Sequence, residues 1–266
     1  MKHPFFQGLT APIHSAHRGG AALYPENTLH AFRGAVVEHQ TDLLELDLHA
    51  SKDGELVVAH DDTLDRCTDG RGPLKALTFA ELSALDAAHK FTTDVGVSFP
   101  LRGTGIRIPR FVEVLEAFPR VKLNVELKTD DAVAPFVALV KGQPALLERM
   151  CIGSEHDAVA AKLVAALPDG CFFYPRDALV AFVLGFKGGE LVEDARYTVL
   201  DMPLKYQGLT LFDRALADEA ARREKWINVW TVDDEAEMRQ AIADGVGGIM
   251  TDRPDVLRAV LGPKRS

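Results

Sequence analysis

Short apolar runs rich in β-branched residues alternate with segments of helical periodicity along the whole chain. Within those segments apolar residues recur at the three- and four-residue intervals of one helix face, as at Leu29, Phe32 and Val36. The same pattern occurs over 111–118 and over 133–140. Strands that alternate with helices are typical of a parallel sheet. The pattern predicts strands at 13–17, 43–49, 55–60, 121–127, 150–154, 171–174, 197–202, 226–231 and 247–251.

A chain of 266 residues with 47% hydrophobic composition can bury the core of one α/β barrel, so we expect a single TIM (β/α)8 domain over 1–266. The nine predicted strands are one too many for that barrel. Residues 51–54, between the second and third strands, leave no room for a helix. The pattern does not show which strand lies outside the barrel.

The segment 62–107 is far longer than an ordinary βα connection, which predicts an insertion after the third strand. Thr78 and Glu81 have the spacing of a capping box, and Leu82 follows, so one short helix is expected there. Because the segment follows the strand that ends at His60, we expect it to cover the mouth of the barrel and to influence substrate choice. A purely structural flap is the alternative.

Two pairs of ionisable residues interrupt apolar strands. Glu45 and Asp47 are two residues apart, as are Glu126 and Lys128, so each pair points to one face of its strand. Each residue alone could belong to the polar side of a half-exposed strand. A buried charge needs a partner or a metal, and the set is therefore predicted to share a cation beside Lys128. Oxygen ligands without cysteine suit Mg²⁺ or Ca²⁺.

His17 and His60 end two predicted strands, where histidines are candidates for proton transfer. Either one alone would more often be a hydrogen-bonded structural residue. Together with the carboxylates they predict an active site at the carboxyl ends of the barrel strands. Arg18 and Lys128 add local positive charge to a chain whose formal net charge is −9, which suggests a small anionic ligand such as phosphate.

Composition narrows the classes of protein that fit. The acidic balance argues against a nucleic-acid surface or an anionic-membrane surface. The three cysteines lack C-x-x-C spacing, so a disulfide framework or a zinc ribbon is not indicated. No run of apolar residues approaches the length of a membrane span, and no signal sequence is recognised at the N-terminus. We therefore expect a cytoplasmic protein without a stable membrane anchor, and its oligomeric state is left open.

Short motifs occur in a fixed order over nearly the whole chain: His17-Arg18-Gly19, Pro25-Glu26-Asn27-Thr28, Glu45-Leu46-Asp47-Leu48, Lys52-Asp53-Gly54, Val57-Val58-Ala59-His60-Asp61, Glu126-Leu127-Lys128, Val229-Trp230-Thr231-Val232 and Gly248-Ile249-Met250-Thr251-Asp252-Arg253-Pro254. In this order they resemble the glycerophosphodiester phosphodiesterase family. The chain departs from the family pattern in two turns, at Gln40-Thr41-Asp42 and Gly245-Val246-Gly247-Gly248, neither of which includes a candidate site residue.

The resemblance implies a TIM barrel with an insertion after the third strand and a divalent cation, commonly magnesium or calcium. It implies hydrolysis of small glycerophosphodiesters to glycerol 3-phosphate and an alcohol. The family's functional residues correspond to positions in this sequence as follows: catalytic His17 and His60; metal ligands Glu45, Asp47 and Glu126; phosphate contacts Arg18 and Lys128; and a pocket aromatic, Trp230, for which a packed barrel residue is an equal alternative.

Several points of function stay open at this level. The nucleophile is either water or the substrate's own vicinal hydroxyl. A lysophospholipase D or sphingomyelinase-D-like enzyme would use a similar set of residues and would need an apolar groove. A barrel that binds metabolites without catalysis is disfavoured, because none of the expected residues is missing. Apolar residues in the insertion that could line an acyl groove are Phe79, Phe91, Val95, Val97 and Phe99.

Overall fold

Eight parallel strands form a ring in the computed structural model, which describes residues 3–263. A bridge between Phe173 and Val199 joins the two ends of the sheet. The order around the ring is β6-β5-β4-β2-β1-β11-β10-β7. The strands are β1 (Ile13–Ala16), β2 (Leu43–Ala50), β3 (Leu56–Val58), β4 (Lys122–Leu127), β5 (Met150–Gly153), β6 (Cys171–Phe172), β7 (Val199–Pro203), β8 (Lys205–Tyr206), β9 (Leu209–Thr210), β10 (Trp226–Trp230) and β11 (Gly248–Thr251).

Helices surround this ring, and those predicted from periodicity lie where expected. Phe32, Phe111 and Phe136 are fully buried on three of them, so the apolar stripes do face the strands. Across the described residues, no helix is both long and apolar enough to cross a membrane. The helices are α1 (Leu29–Val37), α2 (Phe79–Leu82), α3 (Phe111–Ala117), α4 (Val133–Gly142), α5 (Asp157–Ala166), α6 (Arg176–Gly188), α7 (Arg214–Arg222), α8 (Glu235–Ala243) and α9 (Pro254–Leu261).

The strand outside the ring is β3, which pairs antiparallel with the end of β2. Two backbone hydrogen bonds close the turn between β2 and β3. The Ser51 N–H donates to the Glu55 carbonyl, and the Gly54 N–H donates to the Ser51 carbonyl. A tight turn can join only antiparallel strands, because a parallel pair needs a crossover of a dozen or more residues. The TIM barrel prediction is confirmed. The insertion follows the third strand of the chain, and it therefore separates the second and third strands of the ring, β2 and β4.

The segment 62–107 builds a small apolar core of its own on β3. The predicted short helix is present as α2, and Thr78 and Glu81 form the expected capping box at its start. Phe79 packs against this core, whereas Val95 and Val97 are exposed. The buried residues of this small core are Val57, Leu64, Leu74, Leu82, Ala87 and Ile108.

Aromatic side chains close the amino-terminal end of the ring. Phe5 and Phe6, in the 3-10 helix Pro4–Phe6, pack with Ile13 and Leu43 at the beginnings of β1 and β2. Apolar packing at this end leaves the carboxyl ends of the strands as the place for polar chemistry.

Candidate active site

Three carboxylates meet at the carboxyl end of the ring. Glu45 and Asp47 lie on β2, and Glu126 lies beside Asp47 on β4, where the two residues are register partners. One oxygen from each carboxylate lies within 4.8 Å of the others. Glu45 and Asp47 are almost completely buried, with 6% and 1% exposure. The alternation of side chains along β2 accounts for this arrangement, since residues two apart share a face.

The donor set fits a hard divalent cation. Oxygen ligands on opposite sides of Mg²⁺ or Ca²⁺ are roughly 4–5 Å apart, which matches the spacing of these carboxylates. Burial raises the pKa of Glu45 to about 8, and the negative charge of Asp47 adds to this rise. The ionised cluster is therefore unfavourable by itself, and a bound divalent cation would relieve that repulsion.

Two basic residues flank the carboxylates. Lys128 Nζ lies 3.0 Å from Asp47 Oδ1 and 2.8 Å from Glu126 Oε2. Burial alone would raise the pKa of Asp47, but the charges of Lys128 and Arg18 hold that pKa below its ordinary value. The Arg18 backbone N–H donates to Glu45 Oε2 at 2.8 Å, and its guanidinium donates to Glu26 Oε1 at 3.0 Å. Arg18 Nε also lies 3.5 Å from Asp47 Oδ2, so both cations lie against the same buried carboxylate.

The backbone at Arg18 takes the left-handed conformation, with φ 50°, immediately after β1. Non-glycine residues adopt this conformation rarely, and such positions concentrate at functional sites. Asn27 is also left-handed and its backbone N–H donates to the Arg18 carbonyl. The Asn27 side chain donates to Asp47 Oδ2 at 2.8 Å. The loop after β1 is thus tied to the acidic pair on β2.

Each candidate catalytic histidine has a carboxylate beside Nδ1. His17 Nδ1 lies 2.7 Å from Asp252 Oδ1, and His60 Nδ1 lies 2.7 Å from Asp61 Oδ1. An ionised carboxylate only accepts, so Nδ1 carries the hydrogen and Nε2 is left for proton transfer. Burial alone would lower the pKa of His17, but the hydrogen bond to Asp252 and the charge of Glu45 outweigh burial and raise it.

His60 reaches the site from the strand outside the ring. The sequence placed it at the end of a strand and left open which strand lies outside the barrel; β3 is that strand, and it runs antiparallel to β2. Since β2 extends beyond the ring, an antiparallel partner returns the chain toward the mouth. The Ala59 backbone N–H donates to the Asp47 carbonyl at 3.0 Å, which brings His60 to the level of the carboxylates.

Trp230 is the last residue of β10 and is the register partner of Pro203 at the end of β7. Its position at the carboxyl end of the ring agrees with a residue beside the mouth. The side chain is 40% exposed, which argues against a packed barrel residue. A role in substrate binding stays a prediction.

Sequence reasoning left five site residues without a role. Four of them stand within the quoted motifs, so their positions were visible although their contacts were not. Arg66 lies in the insertion, outside every quoted motif, and only its contacts reveal it. The five are Glu26, Asn27, Asp61, Arg66 and Asp252.

Comparisons of the sequence with known proteins agree on one family. A sequence profile described as "Glycerophosphoryl diester phosphodiesterase family" matches residues 17–256. The glycerophosphodiester phosphodiesterase of Caldanaerobacter subterraneus subsp. tengcongensis is 30% identical, over 91% of this chain and 94% of its own. Lysophospholipase D GDPD1 of Homo sapiens is 29% identical, over 93% of this chain and 85% of its own.

Solved structures show the same fold. The glycerophosphodiester phosphodiesterase from Agrobacterium tumefaciens str. C58 superimposes with a TM-score of 0.74 at 27% identity, covering 94% of this chain and all of that chain (100%). An Oleispira antarctica phosphodiesterase, solved in complex with the product sn-glycerol-3-phosphate, gives a TM-score of 0.76 at 23% identity, covering 94% of this chain and 96% of that one.

Proposed function

Since the chain belongs to the glycerophosphoryl diester phosphodiesterase family, we propose that it hydrolyses small glycerophosphodiesters to glycerol 3-phosphate and an alcohol, with a divalent cation and two histidines. Its reaction class is that of a phosphoric diester hydrolase. The observation that carries the proposal is the grouping of three carboxylates within 4.8 Å at the carboxyl end of the barrel.

The residues proposed to hold the cation are Glu45, Asp47 and Glu126, with Mg²⁺ or Ca²⁺ as the ion. Such an ion, when bound, polarises a phosphoryl oxygen and spreads the negative charge of the transition state. Arg18 offers a planar fork to phosphate oxygens, and Lys128 adds a point charge. These two side chains bind and orient the phosphodiester.

His17 and His60 move the protons. One accepts the proton of the nucleophile and the other donates a proton to the leaving alkoxide, a division worth about 10²–10⁴-fold for each positioned group. Asp252 and Asp61 hold the two rings so that Nε2 is available in each. The nucleophile is either water or the vicinal hydroxyl of the glycerol moiety. Attack by the hydroxyl would gain from intramolecular proximity and would form a cyclic phosphate, which water then opens to glycerol 3-phosphate.

Metal removal tests the proposal directly. Protein dialysed against excess chelator should lose hydrolysis of glycerophosphocholine and glycerophosphoethanolamine, and Mg²⁺ or Ca²⁺ should restore it. Glu45→Gln, Asp47→Asn and Glu126→Gln should each weaken metal binding measured by calorimetry, because each removes an anionic ligand. Glu116→Gln, an exposed change on α3, is the matched control. Full activity in excess chelator would contradict the metal assignment.

A lysophospholipase D activity is the second candidate. A lysophospholipase D matches this chain over most of its length. Tyr206 and Leu209, on the β8–β9 hairpin that follows β7, are 59% and 65% exposed, and Trp230 lies beside the end of β7. These side chains offer apolar surface at the mouth end of the barrel, as an acyl chain would require.

Lysophosphatidylcholine and glycerophosphocholine separate the two candidates. If the acyl chain uses the hairpin, Tyr206→Ser and Leu209→Ser should raise KM for lysophosphatidylcholine severalfold and leave KM for glycerophosphocholine unchanged. Val37→Ser replaces a similarly exposed apolar residue on another element, α1, and is the control. Absence of lysophosphatidylcholine hydrolysis by the metal-loaded enzyme would leave small soluble diesters as the substrates.

A further inference from the structure

Arg66 connects the insertion to the site through two carboxylates. Its guanidinium donates to Glu26 through Nη1 at 2.5 Å and Nη2 at 2.7 Å. The same guanidinium donates to Asp61 through Nε at 2.6 Å and Nη2 at 3.1 Å. Arginine presents its donors in a rigid fork, so one side chain can hold two carboxylates at a set distance.

Each of these carboxylates also holds a residue of the proposed machinery. Glu26 Oε1 accepts from the Arg18 guanidinium at 3.0 Å, and Asp61 Oδ1 lies 2.7 Å from His60 Nδ1. Arg66 is therefore the centre of a chain of contacts with the phosphate-binding arginine at one end and a proton-transfer histidine at the other. The chain of contacts runs Arg18, Glu26, Arg66, Asp61, His60.

The charges of the two carboxylates explain why Arg66 is needed between them. Glu26 and Asp61 are both anionic and are brought to the same guanidinium, so without it they would repel each other. Burial alone would raise the pKa of Glu26, but hydrogen bonds from Arg66 and the charge of Arg18 hold that pKa below its usual range. The pKa of Asp61 is lowered to about 2, because hydrogen bonds from Arg66 and His60 outweigh its burial. Both carboxylates are thus kept ionised as acceptors.

We propose that Arg66 is a positioning residue, which fixes Arg18 and His60 relative to each other by clamping Glu26 and Asp61. The inference rests on the proposed phosphodiesterase activity. It assigns a part of the insertion to catalysis, whereas the sequence predicted a cover over the mouth that influences substrate choice. Arg66 itself touches neither the metal ligands nor the histidine ring in the contacts described.

Arg66→Met and Arg66→Lys test this role. A displacement of about 1 Å in catalytic groups can cost roughly 10²-fold, so we expect Arg66→Met to lower kcat/KM by about that factor. Lysine should recover little of the loss, because one ammonium cannot hold both carboxylates in the geometry of a fork. Arg71→Met, an exposed change in the same insertion, should leave kcat/KM within about 2-fold of wild type.

Double variants distinguish positioning from a general loss of structure. Arg66→Met should lower kcat in wild type but add almost nothing to kcat in a His60→Ala background, since the ring it positions is gone. It should weaken binding of glycerol 3-phosphate, measured by calorimetry, in wild type but not in an Arg18→Met background. The proposal would be overturned if Arg66→Met lowered kcat and weakened binding by the same factors in wild type, His60→Ala and Arg18→Met. Wild-type kinetics for Arg66→Met alone would also overturn it.

The test separates this inference from the function on which it rests. If metal-loaded wild type fails to hydrolyse every glycerophosphodiester, the proposed function fails and the kinetic arm of the test has no signal. If wild type is active while Arg66 variants behave additively, only the role of Arg66 fails. Circular dichroism and thermal melting establish folding for each variant, and Arg66→Lys provides the same comparison if Arg66→Met does not fold.

Discussion

The carboxylate beside each histidine determines what the ring can do. His17 and His60 each have an Asp oxygen 2.7 Å from Nδ1, although the two partners come from different places in the chain. Asp61 is the neighbour of His60, and Asp252 is separated from His17 by 235 residues. In both pairs the proton on Nδ1 is held, so the orientation of the ring and the basicity of Nε2 depend on the carboxylate.

Asp252→Asn and Asp61→Asn should therefore each lower kcat for glycerophosphoethanolamine by about 10²-fold or more. An amide can donate as well as accept, so it permits the wrong tautomer. With a nitrophenyl phosphodiester the leaving group needs little protonation, and the variant that disturbs the general acid should recover much of its rate. Steady-state kinetics on both substrates assign the acid and the base.

Asp62→Asn is the matched control for the second pair, since Asp62 is exposed and lies next to Asp61 in the chain. Its kcat should match wild type. Equal impairment of Asp252→Asn and Asp61→Asn on both substrates would contradict a division between acid and base.

Among the elements, β3 and the insertion act as one unit. β3 brings His60 back to the mouth, and the insertion packs its apolar side chains on β3 and supplies Arg66. This small core is separate from the core between the ring and its helices. The insertion can therefore loosen while the barrel stays folded, because cooperative units often follow such boundaries.

Leu82→Ala should destabilise this unit by about 2–5 kcal/mol, since Leu82 is fully buried in its core. Amide hydrogen exchange should become faster within 62–107 and stay near wild type in the ring strands. The value of kcat should fall as His60 and Arg66 lose their support. Leu163→Ala, on α5 and fully buried in the main core, should instead accelerate exchange across the ring. Uniform acceleration by Leu82→Ala would show that the insertion and barrel are one cooperative unit.

For the molecule as a whole, a buried carboxyl inside the ring makes stability depend on pH. Asp201 on β7 accepts hydrogen bonds from Asn124 at 2.6 Å and Asn228 at 2.7 Å. Burial raises its pKa from 3.8 to about 6, although the two amides oppose the rise. The folded protein therefore binds this proton more tightly than the unfolded chain does. The stabilisation is fully present below about pH 4 and is lost as pH rises through about 6.

Asp201→Asn removes the titrating carboxyl. The free energy of unfolding of the variant should therefore not show the decrease that Asp201 causes in wild type as pH rises through about 6. Relative to wild type, the variant should gain about 3 kcal/mol between pH 4 and pH 7, because a shift of about two pKa units corresponds to that energy. Urea unfolding at several pH values measures the difference. Any mismatch of amide hydrogen bonds adds a constant that is independent of pH. Asp218→Asn, exposed on α7, removes the same charge and should show no such trend. The prediction would be contradicted if the difference in free energy of unfolding between Asp201→Asn and wild type did not change with pH.

Local pattern was sufficient for most of the elements and for the acidic pair on β2. Helix periodicity located α1, α3 and α4, and the capping box located α2. The spacing of Glu45 and Asp47 placed both on one face of β2, because side chains alternate along any strand. These conclusions depend on residues within a few positions of each other, and their geometry is a property of the element itself.

Tertiary structure decided what depends on residues far apart in the chain. The sequence offered nine strands, and only pairing showed that β3 is antiparallel and lies outside the ring. The contacts of Asp252 with His17 and of Arg66 with Glu26 join residues 235 and 40 positions apart. No local periodicity encodes such distances. They follow from closure of the ring, which brings β11 beside β1, and from packing of the insertion on β3, which carries Arg66 to the mouth.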